Sequence, residues 1–205
     1  MNKQFWIRSF LLAGIVAALA IYRVSEHKII EQEIITRLQR VQTPASVRFF
    51  QVVSDSISFF SLGIPALILA AGLIHKRKVW VRHALIILLG IALGGLMSAT
   101  IKRTLKEPRP YEVDKRIAQL SVGGSNSFPS GHTVEATAAA VGFSAILFRT
   151  PVSIVLSILW ALMIMLSRIV LGVHNFTDIL AGAAIGCLGL LIIHHLFEKR
   201  PLPNP

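Results

Sequence analysis

Long apolar runs alternate with short polar segments along the whole chain, and this alternation sets the first expectation. A helix that crosses a bilayer needs roughly 20 mostly apolar residues. Six runs approach that requirement, at residues 5–22, 57–74, 84–100, 133–148, 152–166 and 179–197. The pattern predicts an all-α polytopic membrane protein of six transmembrane helices, forming one domain over residues 1–205. The first run, with Lys3 and Arg8 at its start, also has the form of a signal peptide, with Ala18-Leu19-Ala20 as a cleavage motif. An uncleaved anchor is the expectation here. Gly90, Gly94 and Gly95 would let the third run approach a neighbour closely. Pro65 inside the second is tolerable if neighbours satisfy the carbonyl it frees.

Between the first two runs the period changes. Ile29, Ile30, Ile34, Ile35, Leu38 and Val41 recur at near-helical spacing, with Glu31, Glu33, Arg37 and Arg40 between them. This predicts a helix over about 28–41, lying on the membrane surface or packed, solvated, against the bundle.

Composition agrees with the pattern. Hydrophobic residues make up 54% and charged residues 15%, too few charges for a soluble domain of this size. The net charge of +11 would suggest nucleic acid on a soluble protein. Here the bases gather between apolar runs, as topology signals and phosphate ligands do, and no nucleic-acid-binding module is present. The one cysteine, Cys187, lies within an apolar run and reads as a packing residue. With the N-terminus inside, the dense basic loop at 75–83, Arg149 and Lys199-Arg200 fall on the cytoplasmic side. The polar loop at about 101–131 and the 167–178 segment then share the external face.

Three polar clusters therefore meet at one membrane edge. Lys102 ends the third run, and Arg109 follows between Pro108 and Pro110, which hold it extended. Ser130-Gly131-His132 opens the fourth run, where the free N–H groups of a helix start can cradle an anion. Ser167-Arg168 ends the fifth run, and His174 and Asp178 precede the sixth at the i, i+4 spacing that puts both on one helix face. Asp178 can then fix one imidazole nitrogen and leave the other for a substrate. Alone, each cluster has a bland reading as juxtamembrane base, serine cap or structural His-Asp pair. Several cations at one edge suit a phosphate.

Lys102-x6-Arg109-Pro110, Pro129-Ser130-Gly131-His132 and Ser167-Arg168-x5-His174-x3-Asp178 together resemble the three signature motifs of the type 2 phosphatidic acid phosphatase (PAP2) superfamily. The resemblance implies a small bacterial integral-membrane lipid phosphatase, with its site external or periplasmic. It implies His174 as the nucleophile that forms a phosphohistidine, Asp178 as its orienting carboxylate and His132 as the general acid. Lys102, Arg109 and Arg168 would bind the phosphoryl oxygens, with Ser130 and the Gly131 N–H assisting. No cofactor or metal is implied. The substrates it suggests are undecaprenyl pyrophosphate, phosphatidylglycerol phosphate, phosphatidic acid and lipid A phosphate.

Transfer of the phosphoryl group to another lipid would use the same pocket. Haloperoxidase chemistry, which soluble relatives perform, is opposed by the apolar runs, and a non-enzymatic transporter or scaffold would tolerate loss of His174. Glu135, three residues beyond His132, is the one carboxylate placed to disturb the assignment of His132 as the acid.

Overall fold

The computed structural model describes residues 3–24 and 28–199. Those residues are helical or irregular, with no strand among them. The helices are α1 (Lys3–Val24), α2 (Lys28–Arg40), α3 (Pro44–Asp55), α4 (Ile64–Ile74), α5 (Lys78–Leu105), α6 (Pro110–Val113), α7 (Gly131–Gly142), α8 (Pro151–Val170) and α9 (Phe176–Glu198). Two π-helical segments, Phe59–Gly63 before α4 and Phe143–Leu147 after α7, continue the helices they adjoin. Ala20 of the expected cleavage motif has no described side chain, and Arg200 of the tail lies outside the described residues.

Four of these helical runs are long and apolar enough to cross a membrane: Pro44–Ile74, Lys78–Val113, Pro151–Val170 and Phe176–Glu198. The expected count of six is thus matched only in part. Helix α7 with its π-helical continuation is short, and it carries Glu135 and Thr137. It need not be lipid-compatible all round, because α5, α8 and α9 pack against it.

The expected boundaries also move. The second run was expected to begin at residue 57, but helix begins at Pro44, in a continuous rise of 31 residues to Ile74. The reason is local. Thr43 caps the helix through Ser46, whose hydroxyl returns to the Thr43 N–H (2.9 Å), and Pro44 has the fixed φ that suits a first turn. The basic loop expected at 75–83 shrinks to His75–Arg77, since α5 already begins at Lys78. Pro65 sits in the first turn of α4, just after the π-helical segment, and is buried.

Helix α9 is the axis of the assembly and packs against α5, α7 and α1. Small residues make this possible. A Cβ added at Gly186 would lie 2.4 Å from the Val134 carbonyl oxygen, and one at Gly189 would lie 2.7 Å from that of Gly90. Gly90 and Gly94 are the close-contact glycines expected of the third run, whereas Gly95 faces open space.

Helix α2 combines the two expectations for its segment. Ile35 is buried against Ile117, Ile169 and Ile179, and Gln39 donates to the carbonyls of Ala118 (2.9 Å) and Val170 (3.1 Å). Ile29, Ile30 and Ile34 point outward. The helix is therefore docked on the loop end of the bundle by its mixed face, and its isoleucine stripe is left outside.

Candidate active site

The C-terminal ends of α5 and α8 and the N-terminal ends of α7 and α9 meet at one end of the bundle, covered by the 106–130 loop and α2. Every candidate site residue named from the sequence lies at this end. The chain reaches it through a tight turn after α8, where Gly172 adopts φ +74° and a Cβ would lie 2.4 Å from the Ala118 carbonyl oxygen. Only glycine fits that conformation and that space without strain. The turn delivers Val173 and His174 to the start of α9.

Asp178 closes the first turn of α9. Its Oδ2 accepts from the Asn175 N–H (2.8 Å), from the Ser127 hydroxyl (2.5 Å) and from the Nδ1 side of His174 (3.4 Å). The carboxylate is fully buried, at 0% exposure, and these bonds hold it in place. It caps a helix and orients an imidazole with the same oxygen. The other imidazole nitrogen, Nε2, lies 3.4 Å from Nη1 of Arg109. The tautomer that satisfies both neighbours carries its proton on Nδ1 and leaves a lone pair on Nε2. Burial depresses the imidazolium form of His174 to about 4, against the opposing pull of Asp178. The ring is neutral near pH 7 and able to act as a nucleophile.

The cations are held by main-chain carbonyls and by serine hydroxyls. Arg109 donates to Gly124 (3.1 Å), Asn126 (3.2 Å) and Val173 (2.7 Å). Lys102, on the last turns of α5, donates to the carbonyls of Asn126 (2.7 Å) and Ser127 (3.1 Å). Arg168, on the last turn of α8, is held by the hydroxyls of Ser54 and Ser121 and the Val122 carbonyl. Its Nε is buried and, among the described residues, has no acceptor. A buried donor left unpaired in this way is costly unless an anion arrives to accept from it.

Ser130 caps α7, accepting from the Thr133 hydroxyl at 3.0 Å, and its own N–H donates to the Asp178 carbonyl (3.0 Å). That bond ties the second cluster to the third. The Phe128–Pro129 peptide is cis. The space a Gly131 side chain would take is open, so the backbone there is accessible to a ligand. His132 follows, within electrostatic reach of Arg168, His174, Arg109 and Lys102. Glu135 does not turn toward it: its carboxylate accepts from the Ser61 hydroxyl on the π-helical segment before α4. The complication raised for His132 is thereby removed.

The structure therefore unites Lys102, Arg109, Ser130, Gly131, His132, Arg168, His174 and Asp178. It adds residues that the sequence did not single out. Ser127 and Asn126 lie in the loop, and Ser54 comes from α3, 114 positions before Arg168. Glu31, on α2, accepts from the N–H and the hydroxyl of Thr177 (both 3.1 Å), capping α9 immediately before Asp178. A serine or glutamate at such distance in sequence carries no local signal, and only the fold pairs them.

The comparisons with known proteins agree with this geometry. The family model described as the PAP2 superfamily matches residues 83–202, more than half of the chain. Phosphatidylglycerophosphatase B of Bacillus subtilis (strain 168) is 29% identical over 141 residues, which is 64% of this chain and 66%, just under two thirds, of that protein. The fold matches the crystal structure of the first transmembrane PAP2 type phosphatidylglycerolphosphate phosphatase from Bacillus subtilis with a TM-score of 0.79 and 24% identity, covering 96% of this chain and 99% of that one. It also matches Aquifex aeolicus LpxE with a TM-score of 0.65 and 24% identity, covering 81% and 95% of the two chains. On its matched family model, and with all three signature clusters gathered at one end of the bundle, the chain belongs to the PAP2 superfamily.

Proposed function

We propose that the protein hydrolyses the phosphate monoester of a membrane glycerophospholipid, of which phosphatidylglycerol phosphate is the leading example, through a phosphohistidine at His174. The observation that carries this reading is the buried imidazole of His174, set between Asp178 Oδ2 and Arg109 Nη1. The name of the Bacillus subtilis relative supports the choice of lipid.

The chemistry follows from the placement of the groups. The phosphate enters the space bounded by Lys102, Arg109, Arg168 and the start of α7, and its oxygens take up the donors there. Such positioning and charge stabilisation supply most of what phosphoryl transfer requires. Nε2 of His174 attacks phosphorus as the bond to the lipid oxygen breaks, and His132 gives that oxygen a proton. Asp178 stabilises the charge that develops on the His174 ring. Water, deprotonated by His132, then attacks the phosphohistidine, the P–N bond breaks, and inorganic phosphate leaves. No step uses a metal ion, so activity persists in the presence of a chelator. A strict metal requirement would contradict the scheme.

In the membrane, α1 and α7 with its π-helical continuation complete a six-span bundle. The α7 segment crosses as an enclosed helix, and its polar residues face protein. Arg77, Lys78, Arg82, Arg149 and Lys199 lie at the end away from the site, which supports a cytoplasmic position for that end and an outward-facing catalytic end. In a bacterium this is the cytoplasmic membrane, with the pocket facing the periplasm or cell exterior.

Phosphate release from a panel of phosphatidylglycerol phosphate, phosphatidic acid, undecaprenyl pyrophosphate and lipid A phosphate tests the assignment. Phosphatidylglycerol phosphate is expected to have the highest kcat/KM. Labelled substrate separates hydrolysis, which gives free phosphate, from transfer, which gives a second phosphorylated lipid. His174→Ala is expected to lower turnover by about three orders of magnitude or more.

A further inference from the structure

The end of the bundle opposite the catalytic pocket carries a second basic recess that the phosphatase reaction does not use. A cavity of about 210 Å³ lies between α5, the end of the π-helical segment after α7, and α9. Arg82, His83, Arg149, His194 and Glu198 line it, so cationic and cation-forming groups outnumber the single carboxylate. Three apolar grooves adjoin it. One, of about 890 Å³, runs between α4, α5 and α9 past Leu85, Leu89, Ile193 and Leu196, and Arg82 lines both this groove and the cavity. A second, of about 510 Å³, runs between α1, α7 and α9 past Leu11, Leu12 and Leu191, and shares Ile146 and His194 with the cavity. The third, of about 560 Å³, lies away from α9, past Leu67, Ile68 and Trp80, and shares Val79 and His83 with the cavity.

The spacing along the helices sets the depth of this recess. At roughly 1.5 Å per residue, Arg82 is about 30 Å from Lys102 along α5, and His194 about 24 Å from Asp178 along α9. The hydrocarbon core is about 30 Å thick. The recess therefore lies at the interface of the leaflet that the catalytic pocket does not face. Lys76 and Lys78, both exposed, stand at the mouth of the larger groove.

We infer that this recess binds an anionic phospholipid of the opposite leaflet, with the headgroup phosphate against Arg82, Arg149, His83 and His194 and the acyl chains along the two grooves that flank α9. The charge of the recess selects an anionic over a zwitterionic headgroup. A polar cavity from which apolar grooves lead away matches a diacyl lipid rather than a free phosphate ion, which would leave the grooves unfilled. Basic recesses between helices at this depth are suited to such headgroups, at about 1 kcal/mol for each Lys or Arg near the surface.

The probe is phosphatidylserine, compared with phosphatidylcholine of the same chains, and the measurement is lipid retention by native mass spectrometry of the full-length protein released from detergent micelles. Phosphatidylserine is expected to be retained preferentially by the wild type. Arg149→Glu, at an exposed position, is expected to lower that preference about fivefold or more while phosphatase activity shows the variant to be folded. Lys102→Gln, in the catalytic pocket, is expected to keep the preference. Glycerol phosphate, which has the headgroup charge without chains, is expected not to displace the lipid at equal concentration. Equal retention of the two lipids overturns the inference. So does loss of the preference in Lys102→Gln with its survival in Arg149→Glu, which would place the lipid in the catalytic pocket. Displacement by glycerol phosphate would reduce the recess to an anion site and equally contradict it.

Discussion

At the scale of the residue, the catalytic proposal depends on one imidazole held neutral. His174 is 3% exposed, and burial keeps its protonated form from appearing until about pH 4. The acid limb of kcat/KM, which reports the free enzyme, is therefore expected well below the usual histidine value of about 6.5. Bound substrate, being anionic, favours the imidazolium, so the limb of kcat is expected at higher pH than that of kcat/KM. The same shift has a consequence for stability. The unfolded chain takes up a proton at His174 at higher pH than the folded chain does, so the folded state loses stability as pH falls from about 6.5 toward 4. Midpoints of thermal unfolding in detergent across that range check the direction, and His174→Gln is expected to flatten the dependence. Most of the site's residues were legible at this scale, because the motifs place chemistry-bearing side chains at helix ends. Ser127 was not legible. Nothing in its neighbourhood announces that its hydroxyl would meet a carboxylate 51 positions away, at 2.5 Å.

At the scale of the element, the position of the dyad depends on contacts made outside it. Glu31 binds both the N–H and the hydroxyl of Thr177, so α2 fixes the start of α9 and hence the direction of Asp178. Glu31→Ala is expected to cost about 2 kcal/mol of stability, the range for a hydrogen bond to a charged group, and to lower kcat more than it changes KM. Glu31→Gln keeps an acceptor and is expected to recover part of both losses. Gly172→Ala forces a side chain into the left-handed region at φ +74° and against the Ala118 carbonyl, and is expected to cost more than the roughly 1–2 kcal/mol of that conformation alone. Chemical unfolding followed by circular dichroism measures both. The sequence showed where α2 lies but not why it matters. Its isoleucines drew attention to the outer stripe, whereas the contact with the start of α9 comes from Glu31 on the packed face. The helix starting at Pro44 was missed for a related reason: the Thr43–Ser46 cap is a short-range polar signal, and it lies ahead of the apolar run by which spans are recognised.

At the scale of the whole molecule, the bundle is a device for bringing four helix ends together around α9, and the apolar alternation along the chain made that arrangement legible in outline. The number of membrane crossings was less legible, because a helix enclosed by α5, α8 and α9 has no need of a continuous apolar surface. The orientation proposed here predicts that, in a Cys187→Ser background, a cysteine introduced at Ser125 reacts with a membrane-impermeant thiol reagent from outside intact cells. A cysteine at Lys76 is expected to react only after the cells are opened, and the reverse pattern would invert the assignment of the catalytic face. The central claim is tested most directly by rapid acid-free quenching during turnover of labelled phosphatidylglycerol phosphate, followed by peptide mapping of the trapped protein. The account predicts an acid-labile phosphoryl group on His174, absent in His174→Ala and accumulating in a His132 variant that cannot activate water. A phosphoryl group on His132 instead, or wild-type turnover by His174→Ala, would contradict it.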